Sequence, residues 1–263
     1  MDIIVCIKQV PESANVGWDP ATGTLRREGV PGVMNPTDKN ALEAALQLKE
    51  RHGGVITALC MGPPQAEEAL REAFSMGVDR GLLLSDRHFA GADTWATSYT
   101  LGLAVKRIAT FDLILCGKES ADGMTAHVGP QLAELLNLPQ LTYATAIDIR
   151  GHSVEIRQKV EHGYRMLRSP LPALVTVERE MNQPRIPPMD QIMEAFQKEV
   201  LRWDAEALGG KDENFGLKGS PTQTKKVYTK KLKNGKVQFL EGEPLEKVQQ
   251  LVQILKEQNF IVS

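Results

Sequence analysis

FDLILCGKESADGMTAHVGPQLAELLNLPQ, residues 111–140, is the stretch from which the fold is read. Leu113-Ile114-Leu115-Cys116 has the length and apolar composition of a buried parallel strand. A polar loop of small residues follows, from Gly117 to Thr125. Val128, Leu132, Leu135 and Leu136 then recur at helical spacing, and Asn137-Leu138-Pro139 closes the helix. A strand that passes through a glycine-containing loop into a helix start outlines an anion site. The free N–H groups of the first turn point at the ligand, and the helix dipole favours negative charge there. Gly117, Gly123 and Gly129 leave the backbone approachable, Lys118 adds a mobile positive charge, and Ser120 and Thr125 offer hydroxyls. Neither G-x-x-x-x-G-K-[ST] nor G-x-G-x-x-G occurs, which excludes a Walker A loop and the usual dinucleotide fingerprint. On these residues alone, a nucleotide or phosphate site and a polar turn that binds nothing both stand open.

On the N-terminal side the same alternation repeats. Residues 3–7, 55–59 and 80–84 read as strands. Helices start at Asn35-Pro36-Thr37-Asp38, at Pro64 and at Asp93-Thr94, and the first is stopped by His52-Gly53-Gly54. The excursion around Asp19-Pro20 and Thr22-Gly23 reads as a hairpin-like insertion. Strands alternating with helices predict an α/β fold with a doubly wound, mostly parallel sheet, whose ligands bind beyond the carboxyl ends of the strands. Cys6, Cys60 and Cys116 each fall at or beside such an end. They are expected near one crevice, as small packing residues; without a C-x-x-C or a histidine cluster, no metal site is expected.

On the C-terminal side the pattern turns to β, with runs at 141–149, 153–161, 164–168 and 173–177 that predict added antiparallel strands. Residues 181–188 carry prolines that forbid regular structure, and 189–200 reads as a helix. Beyond Leu208 the composition shifts, so residues 1–208 are taken as the nucleotide-binding domain and 209–263 as a C-terminal arm. The arm ends in an amphipathic helix with Val248, Leu251, Val252, Leu255 and Phe260 on one stripe, which needs another surface, in this chain or another subunit. Lys225, Lys226, Lys230, Lys231 and Lys233 read as a solvated face.

Composition narrows the partners. Of 263 residues, 42% are hydrophobic and the formal net charge is −2, which permits a large core and gives no electrostatic reason to expect nucleic acid. No apolar run approaches the ~20 residues of a membrane span. With no basic leader before the N-terminal apolar run and three unclustered cysteines, a cytoplasmic location is expected. His127 stands at the helix start, yet no carboxylate or nucleophile at fixed spacing supports catalysis by it, and no catalytic side chain is assigned. Asp122 and Glu119 would repel a phosphate and are read as contacts to sugar hydroxyls or loop backbone. Asp93 is read equally as a helix cap or a ligand contact.

Taken together, VCIKQVP, MNPTDKNALEAAL, ALCMGP, AFSMGVDRGLLL, CGKESADGMTAHVGPQLAELLNLPQ and PLPALVTVEREMNQPR resemble the β subunits of electron-transfer flavoproteins, across essentially the whole chain. The resemblance implies an adenine-nucleotide-hydrolase-like fold and a heterodimer with an α subunit. Housekeeping β subunits hold a structural AMP with a loop rich in consecutive aspartates. Asp122-Gly123-Met124-Thr125-Ala126-His127-Val128-Gly129-Pro130 is instead similar to the electron-bifurcating branch, whose loops carry D-G-x-T-A-x-V-G-P and hold FAD. That branch takes hydride from NADH. One electron goes to ferredoxin, and the other passes through a second FAD to an acyl-CoA dehydrogenase-type or related partner.

By resemblance, the cofactor-binding residues are Cys6, Asn35, Pro36, Thr37 and Asp38 around the adenosine. The pyrophosphate would meet Gly117, Lys118, Glu119, Ser120, Asp122, Gly123, Met124, Thr125, Ala126, His127, Val128 and Gly129. Met61, Gln131 and the Asp93-Thr94 helix start complete the set. Met189 or Ile192 would anchor the dehydrogenase. A conventional electron carrier holding AMP, and a nucleotide-binding regulatory module of the same fold, are the competing readings.

Overall fold

The computed structural model describes residues 1–12, 31–223, 237 and 239–261, together with the backbone of 18–19 and 24–25. The chain divides into two units, Met1–Lys226 and Val227–Ser263. The first opens with β1 (Ile3–Ile7), whose residues are all buried. β2 (Gln9–Pro11) leads to the backbone pair β3 (Trp18–Asp19) and β4 (Thr24–Leu25), antiparallel as a hairpin requires, and β5 (Gly32–Met34) returns against β2. The turn residues of that insertion lie outside the described residues. α1 (Pro36–His52) starts with proline in its first turn, where the missing N–H costs nothing, and ends at Gly53.

β6 (Ile56–Met61), α2 (Glu67–Met76), β7 (Arg80–Leu84), α3 (Thr94–Ile108), β8 (Leu113–Gly117) and α4 (Val128–Leu136) continue the alternation. β9 (Gln140–Arg150), β10 (Ser153–Val160), β11 (Gly163–Pro170) and β12 (Ala173–Val177) follow, then α5 (Met189–Ala195), β13 (Val200–Trp203) and α6 (Ala205–Leu208).

One nine-stranded sheet organises the unit, in the order β11-β10-β9-β12-β8-β1-β6-β7-β13. Every pairing from β9 through to β13 is parallel; only the two pairings of β10, with β9 and with β11, are antiparallel. Because side chains alternate across a strand, Ile3, Val5 and Ile7 of β1 join the apolar layer beneath α1 and α2, and Ile4 and Cys6 the layer beneath α3 and α4. Burial on both faces is why these strands read as continuous apolar runs.

Several expectations need correction. The run at 173–177 does not extend the antiparallel part: β12 enters parallel between β8 and β9. The helix expected over 189–200 ends at Ala195, and Val200 begins β13, an edge strand parallel to β7. Arg71 pins the intervening turn by donating to the carbonyls of Ala195 and Lys198, and Lys198 Nζ donates to Val78 O at 2.9 Å.

The shift in composition at Leu208 is not a structural border either. Phe215 is 2% exposed and packs against Phe89 and Tyr99, with ring centroids 5.1 and 5.6 Å away. The second unit contains α7 (Pro244–Glu257), opened by a reciprocal capping box between Glu243 and Glu246. Its Leu245, Val248, Leu251 and Val252 are exposed. The lysines from 225 to 233 lie outside the described residues. Among the described residues, no helix is long and apolar enough to cross a membrane.

Candidate functional site

After β1 the chain builds the sheet outward through β6 and β7, then returns to place β8 on the other side of β1. The strand order therefore reverses between β1 and β8, and their carboxyl ends, Ile7-Lys8 and Gly117-Lys118, flank the crevice where such sheets take ligands. Cys6 and Cys116 are register partners on these strands. Cys60 is not with them; strand alternation turns it to the opposite face, and burial pushes its thiol up to about 12. All three are free thiols, and a hydrogen bond with Cys6 that favours the protonated form, reinforced by burial, holds Cys116 well above the ordinary thiol range.

The first turn of α1 ties the two strand ends together. Asp38 Oδ2 accepts the Lys8 N–H at 2.8 Å, and Oδ1 accepts the Gly117 N–H at 3.2 Å and Asn35 Nδ2 at 3.0 Å. Burial pushes the Asp38 carboxyl up to about 7, against the downward pull of these donors. Asn35 stands at the N-cap of α1 but does not cap it. Its amide donates to Glu119 O at 3.0 Å and accepts the Ala121 N–H at 3.0 Å, and Thr37 Oγ1 donates to Glu119 O at 2.8 Å. A Cβ at Gly117 would overlap Asp38 Oδ1 and Thr37 Oγ1, so the clamp requires glycine here. Further along, both oxygens of Asp122 accept from Lys8 Nζ, at 2.8 and 2.9 Å. This carboxylate, expected to meet sugar hydroxyls or loop backbone, is held by the lysine that follows β1.

What the loop offers outward is donors. Among the described residues, no acceptor takes the N–H groups of Gly123, Thr125, Ala126 and His127. Met124 and Ala126 have φ of 47° and 55°, in the left-handed region, and Ala126 is followed by right-handed His127; left- and right-handed residues in succession are the backbone pattern of anion-binding nests. Met124, Thr125 and His127 are exposed, and Ser120 is half-buried. Lys118 stands beside them, its Nζ 3.4 Å from Glu119 Oε1 and 3.4 Å from Glu178 Oε1. Burial opposes its charge, but Glu178 and Glu119 outweigh that and raise its pKa. Unpartnered N–H groups, a helix start and one lysine are the donor set a phosphate ester requires.

Other expected residues lie around this loop. Gly129 starts α4 against β12: a Cβ there would stand 2.5 Å from Thr176 Cγ2, so helix–strand packing requires it. Ser98 Oγ of α3 donates to Thr94 O at 2.7 Å and also lies 3.2 Å from Val128 O and 3.4 Å from Gln131 Oε1, which sets the two helix starts side by side. Asp93 caps α3, accepting from Trp95 N and Ala96 N, and also holds Thr222 N and Oγ1. Burial works against its ionisation, but these bonds hold the carboxyl below the usual range. Pro36 is exposed at the α1 start, Thr94 is half-buried at the α3 start, and Met61 ends β6 on the far side of β1 from β8.

Met189 and Ile192 belong to a separate surface on α5. Met189 is 72% exposed and Ile192 half-buried, with Ile186 at 92% and Phe196 at 70% beside them. Arg185 fixes this segment to α1 through Glu43 at 2.8 Å and Glu50 at 2.7 Å. Lys8, Thr176, Glu178 and Tyr143 went unnoticed in the sequence. Lys8 meets Asp122 only across 114 positions, and Tyr143 reads as any strand aromatic.

Comparison with known proteins adds the following. Residues 22–208 match the electron transfer flavoprotein domain. The chain is 45% identical over 261 residues to the electron transfer flavoprotein subunit beta of Clostridium acetobutylicum, covering 99% of this chain and 100% of that one. It is 46% identical over 242 residues to the subunit of the same name in Megasphaera elsdenii, covering 89% and 90%. Identity to the caffeyl-CoA reductase-Etf complex subunit CarD of Acetobacterium woodii is 43% over 263 residues, covering 99% and 100%.

Proposed function

This chain belongs to the electron transfer flavoprotein family as a β subunit, and from that premise we propose that it is the FAD-holding β subunit of a cytoplasmic, electron-bifurcating heterodimer. In this reading it takes electrons from NADH. One goes to ferredoxin, and the other passes through the α-subunit FAD to an acyl-CoA dehydrogenase-type or related flavin partner. The observation that carries it is the loop from Asp122 to Pro130. Its single carboxylate is held by Lys8, leaving N–H groups rather than carboxylates for incoming phosphates. A second phosphate and a second ring system fit such a loop better than one lined with aspartates. The kinship to a subunit of a caffeyl-CoA reductase complex supports a CoA-ester-linked flavin partner.

When bound, the flavin supplies hydride acceptance and one-electron release. The chain's own residues bind and orient. The N–H groups of Gly123, Thr125, Ala126 and His127 and the start of α4 would hold the pyrophosphate, with Lys118 as counter-charge. Cys6 and residues 35–38 would form the floor under the adenosine. The α3 start, capped by Asp93, would face the other side of the ligand. No side chain acts as nucleophile or acid.

The test is to denature the purified αβ heterodimer, quantify flavin and adenylate, and titrate the intact complex with NADH anaerobically. Two FAD, no AMP and bleaching by NADH are expected. One FAD with one AMP, and no bleaching, would replace bifurcation by the conventional carrier.

A further inference from the structure

Tyr143 has a φ of +57° in the middle of β9, a conformation that a bulky aromatic side chain rarely adopts. Its cause is in the register. On β12, Val175 pairs with Leu141 and Val177 with Ala144, so Thr142 and Tyr143 together face Thr176 alone. Glycine or asparagine would meet such a bulge without strain.

The surroundings hold the bulge from both flanks. Thr176 Oγ1 takes the Tyr143 N–H at 3.2 Å, and on the other side Gln158 Nε2 donates to Thr142 O at 3.0 Å and to Thr142 Oγ1 at 3.1 Å. Two side chains thus satisfy the groups that the bulge takes out of the ladder. Backbone strain over-determined in this way collects where a side chain must be aimed.

The aim is toward the loop. Lys118 Nζ stands 5.8 Å from the centre of the Tyr143 ring, whose residue is 37% exposed. The same Thr176 touches the face of α4 that Gly129 leaves bare, so the bulge and the helix start share one support. Lys118 N also donates to Val177 O at 2.9 Å, fixing the backbone from which the lysine extends. Without the ring, Glu119 and Glu178 alone would decide where the ammonium rests, each at 3.4 Å.

We propose that Tyr143 is a positioning residue: its ring, pushed out by the bulge, keeps the Lys118 ammonium at the mouth of the loop, ready to leave its carboxylate partners for the phosphates of a nucleotide. The proposal rests on the nucleotide-site reading above and concerns a residue outside the loop itself. The cation–π contact guides the lysine, and the phosphate supplies the stronger attraction.

The test uses the complete αβ complex stripped of nucleotide and titrated with FAD and separately with AMP, at low and high salt. Tyr143→Leu keeps bulk and loses the ring; it should weaken binding about five- to tenfold at low salt, and less at high salt. Tyr143→Phe should bind as the unaltered protein does. Lys118→Gln should weaken binding to a similar extent, and the double variant no further than Lys118→Gln alone, because the ring acts only through the lysine. Tyr143→Asn, which accepts the left-handed backbone, should lose affinity without losing thermal stability.

Undiminished affinity in Tyr143→Leu, or losses that add in the double variant, would overturn the proposal. If Gly123→Val abolishes nucleotide binding while the Tyr143 variants do nothing, this inference fails and the site reading stands. If neither nucleotide binds the unaltered complex, both fall.

Discussion

Gly117 and Gly123 lie on one loop and answer to different neighbours. A Cβ at Gly123 would meet nothing nearer than Ser120 Oγ at 3.3 Å, whereas one at Gly117 would strike the Asp38 clamp. Gly117→Ala is therefore expected to destabilise the fold by about 1–3 kcal/mol, the usual cost of overpacking. Gly123→Val should leave the melting temperature of the nucleotide-free chain nearly unchanged and reduce retention of FAD or AMP on gel filtration. Equal thermal losses in the two variants would remove the distinction.

Asp38 carries a pH dependence of definite sign. Its folded pKa of about 7 lies above the ordinary 3.8, so between those values the native state holds a proton that the unfolded chain has released. Stability from this group is full below about pH 4 and is lost as pH rises to about 7, with a ceiling of ~4 kcal/mol. Asp38→Asn, which does not titrate, should lose this slope in urea titrations across that range, whatever its absolute stability. An unchanged slope would place the proton elsewhere. The helix start at Asn35-Pro36-Thr37-Asp38 was legible in the sequence. Its clamp was not, because Gly117 and Ala121 lie 79 and 86 positions from Asp38 and Asn35.

Elements that alternate strand and helix were read correctly because each carries its own periodicity and stop signal. β13 was misread because Val200 to Trp203 is only four residues long, is interrupted by Arg202 and has no period of its own, and only the edge of β7 decides its state. β12 was recognised as a strand, but its neighbours could not be, since a five-residue run buried on both faces says nothing of what flanks it.

α5 presents the clearest test at this scale. Met189 projects from a segment that Arg185 anchors through Glu43 and Glu50, so truncating it removes contact surface without loosening its base. Met189→Ala should slow electron delivery to the flavin dehydrogenase partner, by the ~2 kcal/mol or more typical of an interface anchor, and spare reduction by NADH. Ile186 and Phe196, as exposed as Met189, are expected to behave alike. Equal losses in both half-reactions would mean general destabilisation instead.

For the whole molecule, the border between the two units decides how a truncation should be cut. Deletion from Phe215 would pull a buried ring away from Phe89 and Tyr99; deletion from Val227 removes one unit and leaves the other entire. The shorter chain, 1–226, should fold with an unchanged melting temperature and fail to co-purify with the α subunit at equal stoichiometry. The motive is the exposed stripe of Leu245, Val248, Leu251 and Val252, which an isolated helix does not keep in water without another surface. Normal co-purification would assign the stripe a different role. Composition pointed to an appended segment but placed its start too early, because a single buried phenylalanine in a polar stretch leaves almost no compositional trace.

The place of β12 also sets a timetable. β7, β6, β1 and β8 have all been synthesised by Gly117, and with them every strand end and side chain of the Asp38 clamp. β9 is made next but cannot join β8, because the place between them belongs to residues that arrive only at 173–177. A chain emerging from the ribosome can therefore complete the floor beneath the loop that follows β8 while the far half of the sheet is still open. The bulge at Tyr143 must wait for Thr176, so the loop takes shape before the ring that is to steer its lysine.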